Sequence, residues 1–180
     1  MRKVGVNGNS DCVPVLIAIG SNLGNPESKI QDAFRELKRL SRGHFKQSSL
    51  WKSAPLDCPE GSPDYINAAV SFTVQGGTQP VSFLEHLLEL EDRLGRRRSG
   101  IPNEARVIDL DLICFGSVIH HEKKLILPHP RAHLRNFVLA PLAEIEPTFV
   151  IPGQGKTVSQ LLENLATSGG SSGLNRIHST

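Results

Sequence analysis

The stretch Arg106-Val107-Ile108-Asp109-Leu110-Asp111-Leu112-Ile113 alternates apolar and acidic side chains. With the two-residue period of a strand, Ile108, Leu110 and Leu112 share one face, and Asp109 and Asp111 stand side by side on the other. The apolar face builds core. Two carboxylates that close repel each other unless a cation compensates them. Hard divalent ions supply that charge and take oxygen ligands, typically one or two carboxylates together with substrate phosphates. The pattern therefore fits a metal-assisted phosphate site, and it fits equally a strand with a polar, solvated outer face.

The chain has 180 residues, enough for one domain with its own core. Its formal net charge of +2 argues against broad nucleic-acid binding and against a polybasic membrane surface, so any basic function must be local. No apolar run of membrane-spanning length and no secretory leader is visible, and a soluble, cytoplasmic, monomeric protein is expected. Cys12, Cys58 and Cys114 are widely spaced and fit neither a disulfide framework nor a zinc site.

Working outward from the two aspartates, the preceding segment is Arg96-Arg97-Arg98-Ser99-Gly100 through Arg106, a cationic loop. A charge run is usually a solvated face. Beside paired carboxylates it also suits a polyphosphate, some of whose oxygens a metal takes while guanidinium forks hold the rest. The loop follows a helix that Pro80 opens and Gly95 stops, with Val81, Phe83, Leu84, Leu87, Leu88, Leu90 and Leu94 as its apolar stripe. Before that helix, residues 65–74 read as a strand with Ile66, Ala68, Val70, Phe72 and Val74 toward the core and Tyr65, Asn67, Ala69, Ser71 and Thr73 opposite.

Nearer the N-terminus, residues 1–13 read as a flexible leader and 15–19 as a buried strand ending in the turn Gly20-Ser21-Asn22-Leu23-Gly24-Asn25. Asn25 and Pro26 cap a helix carrying Ile30, Ala33, Phe34, Leu37 and Leu40. A second strand is expected over 44–51, followed by a long irregular loop over 53–63 that suits a lid. After the aspartates come an extended edge segment at 125–130, a short helix over 138–145, a late strand at 149–151 and a last helix over 157–165. Gly155-Lys156-Thr157 mimics the end of a phosphate-binding loop, but Val150 stands where the required glycine would be, so it reads as a connector. Residues 167–180, rich in Ser and Gly, read as a disordered tail after a single domain spanning 14–166.

The order strand, helix, strand, strand, helix, strand predicts an α+β fold: a ferredoxin-like βαββαβ sandwich, helices on one face of a mainly antiparallel sheet, with an extra C-terminal strand and helices. Asp109, Asp111, Tyr65 and Asn67 then share the other face. Carboxylates, arginines, a stackable aromatic and an amide suit a reaction joining a nucleoside polyphosphate to a flat heterocycle. A ferredoxin-like binding module, for instance for RNA, is the competing class, although two aspartates on its open face would repel phosphates without metal.

Five segments, in order, carry a resemblance. They are Ile19-Gly20-Ser21-Asn22-Leu23-Gly24; Pro63-Asp64-Tyr65-Ile66-Asn67-Ala68-Ala69-Val70; Glu91 through Gly95-Arg96-Arg97-Arg98; Arg106 through Asp111; and Pro128-His129-Pro130-Arg131 through Arg135-Asn136-Phe137-Val138-Leu139-Ala140-Pro141-Leu142. Together they closely resemble the 6-hydroxymethyl-7,8-dihydropterin pyrophosphokinases of folate biosynthesis. The resemblance implies pyrophosphoryl transfer from ATP to the pterin hydroxymethyl group, releasing AMP, on a ferredoxin-like fold with two magnesium ions. It implies that Asp109 and Asp111 bridge the metals, and that Arg96 and Arg106 act with them in catalysis. Tyr65 and Phe137 would sandwich the pterin, with Asn67, Ser53, Ala54 and Leu56 reading its edge. Arg98, His129, Arg135 and Glu91 would serve the phosphates and ribose of ATP, and Leu112, Lys124, Leu125 and Ile126 would flank adenine. Loops 53–63 and 96–105 would close over the substrates. Where the family carries Trp and then Gly-Pro before the arginine numbered 106 here, this chain has Asn103-Glu104-Ala105, and a Thr-Pro-Pro-Leu run reads Ser53-Ala54-Pro55-Leu56. The changed loop leaves a further reading, a family member that binds pterin or ATP without transferring.

Overall fold

The computed structural model describes residues 12–56, 58–98, 100, 104–168 and 173–177. The leader up to residue 11, parts of the arginine loop at 99 and 101–103, and parts of the tail lie outside them. The described residues form an antiparallel sheet with four α-helices. The first strand, β1 (Val13–Ser21), leads into α1 (Pro26–Leu40), then β2 (Phe45–Gln47), β3 (Trp51–Ser53) and β4 (Tyr65–Val74). Helix α2 (Pro80–Arg93) precedes β5 (Asp109–Phe115), a small hairpin of β6 (His120–Glu122) and β7 (Leu125–Leu127), and a 3-10 turn at Ala132–Leu134. Helices α3 (Asn136–Ile145) and α4 (Val158–Thr167) and a last strand, β8 (Leu174–Arg176), complete the described chain. The main sheet runs β5-β1-β4-β3-β8, with β2 also on β4.

Local chemistry explains most element ends. Asn25 Oδ1 accepts the Ser28 N–H at 3.2 Å, and Pro26 fills the first helical position of α1, where no donor is needed. Gly95, at φ 103°, supplies the left-handed residue that stops α2. Thr157 is the N-cap of α4 and forms a capping box with Gln160, so the Gly155-Lys156-Thr157 segment is a helix start.

Both sheet faces are covered, which corrects the expectation of helices on one face. On the first face, Val15, Ile17 and Ile19 of β1, Val70 and Phe72 of β4, and Leu110 and Leu112 of β5 pack with Ile30, Phe34 and Leu37 of α1 and Phe83, Leu87 and Leu90 of α2. On the second, Leu16, Ala69, Ile113 and Cys114 pack under Val138, Leu139 and Leu142 of α3 and Val158 and Leu161 of α4. The strongly apolar stretch 137–142 left a helix buried against something, and the sheet's second face is that surface.

Other boundaries moved for definable reasons. Val13, assigned to the leader, already pairs with Val74, so the first strand is longer than 15–19. The single strand expected over 44–51 is two. Gln47 pairs with Val70 and Trp51 with Asn67, so three residues oppose two. Ser48 fills this bulge, its N–H donating to Ala69 O and its Oγ accepting the Ala69 N–H, both at 2.9 Å. The late strand at 149–151 is only an isolated bridge, Val150 to Thr157. The tail, expected to be disordered from 167, contains β8, which pairs along β3.

Candidate active site

Register builds the site. Asp109 lies opposite Gly20 on β1, Gly20 opposite Asn67 on β4, and Asn67 opposite Trp51 on β3. One step along, Asp111 lies opposite Ala18, and Ala18 opposite Ala69. The small residues Gly20 and Ala18 thus sit between the carboxylates and the amide. A Cβ on Gly20 would stand 3.8 Å from Tyr65 Cδ1 and 3.9 Å from both Asn67 Oδ1 and Asp109 Cβ. Glycine there keeps the floor of a pocket open.

That pocket is lined by Ser53, Ala54, Leu56, Tyr65, Asn67 and Phe137, all expected on a pterin, and by Arg106, Asp109 and Asp111. Ala18, Gly20, Cys58 and Val138 join them. A second pocket is lined by Glu91, Arg98, Leu112, Lys124, Leu125, Ile126 and His129, all expected on ATP, together with Arg96 and the unanticipated Leu84, Leu88 and Lys123. Asp109 and Asp111 line both. Arg135, expected on ATP, lines the first pocket, its guanidinium 5.5 Å from the Phe137 ring centroid.

The arginines are held from behind by a buried carboxylate. Glu91 of α2 accepts the Leu110 N–H at 2.7 Å, pairs with Arg96 at 2.7 Å, and also pairs with Arg98. Burial pushes its pKa up, against the pull of Arg96 and the Leu110 N–H. Arg96 bridges Glu91 to Asp109, and Arg106 approaches the other Asp109 oxygen at 3.4 Å. Arg106 also stands 5.7 Å from the Tyr65 ring centroid and donates to its hydroxyl at 3.4 Å. Nε of Arg96 and Nε of Arg106 are both buried without a hydrogen-bond partner among the described residues. Orphaned cationic donors beside carboxylates are what an anionic ligand would complete.

Asp111 behaves differently from Asp109. Burial first, and then the neighbouring Asp109 charge, push its pKa up to about 7, while Arg135 and Arg106 pull it down. A carboxylate in that condition favours either a proton or a cation. Among the described residues no group of three or more His, Cys, Asp or Glu forms a metal cluster. Two adjacent carboxylates nevertheless suit magnesium, which keeps waters and takes phosphate oxygens for its remaining positions. His129 moves the other way: burial, with Arg135 and Arg131, lowers its pKa to about 4, so it is neutral near pH 7.

The Gly20-Ser21-Asn22 turn does more than reverse the chain. Ser21 Oγ donates to Val107 O at 2.6 Å. Buried Asn22 accepts the Arg106 N–H on its side chain at 2.7 Å, donates its own N–H to Arg106 O at 3.0 Å, and donates its amide to Pro63 O at 3.2 Å. These bonds hold the segments leading into Tyr65 and Asp109. Asn67 Nδ2 donates to Ser53 Oγ at 2.9 Å and Trp51 O at 3.2 Å, which orients the amide in the pocket wall.

A family model for 7,8-dihydro-6-hydroxymethylpterin-pyrophosphokinase (HPPK) matches residues 16–147, which include both pockets' lining. The 2-amino-4-hydroxy-6-hydroxymethyldihydropteridine pyrophosphokinase of Haemophilus influenzae is 34% identical over 155 residues, covering 86% of this chain and 94% of that protein. The enzyme of the same name from Synechocystis is 36% identical over 155 residues, covering 86% of this chain and 77% of that protein. Among solved structures, Plasmodium falciparum HPPK-DHPS is similar in fold, with a TM-score of 0.73 at 12% sequence identity, over 96% of this chain and 50% of that one. This chain spans half of that longer protein, and at such identity the likeness bears on the fold alone. The family match and the two enzymes similar over most of their own length lead to one assignment: the chain belongs to the HPPK family.

Proposed function

We propose that this protein transfers the pyrophosphoryl group of ATP to 6-hydroxymethyl-7,8-dihydropterin, giving AMP and the pterin diphosphate of folate biosynthesis. The observation that carries this reading is the meeting of two pockets at one pair of carboxylates, Asp109 and Asp111. A flat heterocycle in the first pocket and a nucleotide in the second would bring their reacting ends together there. The strand order β5-β1-β4-β3, with α1 and α2 on one face, supports reading the core as a ferredoxin-like unit to which α3, α4 and β8 are added.

In the first pocket, Tyr65 and Phe137 offer aromatic faces to the pterin. Asn67 has its amide nitrogen engaged by Ser53 and Trp51, so its oxygen is the group left to accept ring N–H donors. Ser53, Ala54 and Leu56 contribute the wall beside it. In the second pocket, Leu112, Lys124, Leu125 and Ile126 suit adenine, and His129 and Arg98 suit the ribose and phosphates. Arg135, standing over Phe137, lines the pterin pocket.

Asp109 and Asp111 would hold magnesium, two ions in this reading, which would supply positive charge against the phosphates. Arg96 and Arg106, whose buried Nε groups have no partner among the described residues, would stabilise the charge on the transferring phosphates. The pterin hydroxymethyl oxygen forms a bond to the β-phosphorus, and the bond between that phosphorus and the α,β-bridging oxygen breaks. AMP leaves with the bridging oxygen, and the hydroxyl proton passes to solvent. Little covalent chemistry falls to the protein, whose part is positioning and charge stabilisation.

The test is AMP formation from ATP and magnesium with and without 6-hydroxymethyl-7,8-dihydropterin. Pterin-dependent AMP is expected, and Asp111→Ala, folded by circular dichroism, should lose it by at least about a hundredfold. AMP release that ignores pterin, or full activity in the variant, would overturn the reading.

A further inference from the structure

We infer that β8, and Arg176 in particular, is a positioning element for the pterin pocket. The inference rests on the function proposed above. The family match ends at residue 147, and Leu174–Arg176 lies beyond it. Two walls of the first pocket come from the end of β3, with Ser53 and Ala54, and from the start of α3, with Phe137 and Val138. Both walls are tied together away from the pocket by one carboxylate, Glu144 of α3. It accepts the Ser49 N–H at 3.1 Å, Ser49 Oγ at 2.7 Å and Trp51 Nε1 at 3.2 Å. Arg176 Nη2 closes this knot, donating to Glu144 Oε1 at 2.8 Å and to Ser49 Oγ at 2.7 Å.

The backbone of β8 reinforces the same place. Trp51 pairs with Arg176, Lys52 with Asn175 and Ser53 with Leu174, and the Ile177 N–H donates to Leu50 O at 2.8 Å. Without β8, the described part of β3 would be a three-residue edge strand, paired with β4 alone. Short edge strands fray, and Ser53 is at once the last residue of this one, a pocket residue and the partner of Asn67. Fraying there releases the Asn67 amide and moves the wall at Ala54. The nucleotide pocket draws none of its lining from β3, α3 or β8, so ATP binding is insulated from the change. The bridge between Arg176 and Glu144 is half-exposed and weak by itself. Its effect comes from joining three elements whose relative positions shape one pocket.

The experiment compares the full chain with Arg176→Ala, Arg176→Lys and a chain ending at Ser168. For each, KM for pterin, KM for ATP and kcat are measured by AMP release, together with Tm. The inference expects pterin KM to rise about tenfold in the shortened chain and about three- to fivefold in Arg176→Ala, a loss of binding that saturating pterin restores. The ATP KM should change less than about twofold, and Arg176→Lys should recover part of the loss. A lower Tm with pterin KM within about 1.5-fold of the full chain in Arg176→Ala would overturn it, leaving β8 as edge cover alone. Equal rises in both KM values would also overturn it. If the shortened chain does not fold, the two Arg176 variants decide. Absence of pterin-dependent AMP from the full chain would instead count against the proposed function, so the two failures are distinguishable.

Discussion

Asp111 lines both pockets beside Asp109. In the unfolded chain an aspartate loses its proton near pH 4, whereas burial beside Asp109 moves this loss up to about 7 in the folded protein. Between those values the folded state holds the extra proton, so this residue's contribution to metal-free stability falls as pH rises from about 4 to about 7 and is level above. A divalent cation held there, as proposed above, would have to displace that proton. Magnesium binding is therefore expected to tighten as pH rises from 5.5 to 8 and, at pH 6.5, to release protons, which calorimetry in buffers of different ionisation enthalpy reads directly. Asp111→Asn should abolish the release. Proton uptake on binding, or release unchanged in Asp111→Asn, would contradict the role. Phe137 makes a second residue-scale case. If it is one face of a pterin sandwich, Phe137→Ala should weaken pterin binding by about 1–3 kcal/mol, the worth of one aromatic stacking partner, and leave ATP nearly unchanged. Equal losses on the two substrates would count against the sandwich.

Element by element, what was legible depended on whether the information was local. The alternation 108–112 put Leu110 and Leu112 in the core and the two aspartates on the other side, as the strand period requires. The alternation fails two residues later, at Cys114. The register between β1 and β5 shifts between Leu16 and Ile17, so Ile113 and Cys114 both pack in the second core and Phe115 returns to the first. A bulge depends on the partner strand, and no local pattern announces it. The same holds for Ser48, which splits a strand by bonding across to Ala69. Glu91 was expected to support the nucleotide, and the structure adds what it touches: an arginine on each carboxylate oxygen and a β5 backbone donor. Removing one partner of a buried ion pair strands the others. Glu91→Ala is therefore expected to cost about 3–5 kcal/mol of folding stability by chemical denaturation, and to raise the ATP KM more than the pterin KM. A neutral effect on stability would show that Arg96 and Arg98 are held by other means.

Across the whole molecule, two layers of helices enclose the sheet and leave the Tyr65, Asn67, Asp109 and Asp111 end open to two pockets. Residue chemistry in the sequence pointed to Asp109, Asp111, Tyr65, Asn67 and the arginines of the loop before them, and the other pocket residues expected, such as Ser53, Phe137, Leu125 and His129, came from the family resemblance. Ala18, Gly20, Val138, Leu84 and Leu88 were not nominated, since small and aliphatic residues reveal a pocket only once their strands and helices are assembled. The second core and β8 were missed for a related reason: a three-residue strand has no periodicity to read, and its partner is more than a hundred residues away. Among the described residues, no helix is long and apolar enough to cross a membrane.

The central claim is that the two pockets deliver a hydroxymethyl oxygen and the β-phosphorus of ATP to the same pair of aspartates. Phosphorus NMR of a single-turnover mixture of enzyme, magnesium, ATP and 6-hydroxymethyl-7,8-dihydropterin tests it most directly. The account predicts AMP together with the paired resonances of a pterin diphosphate, in equal amounts. ADP with a pterin monophosphate, or free pyrophosphate with unmodified pterin, would contradict it.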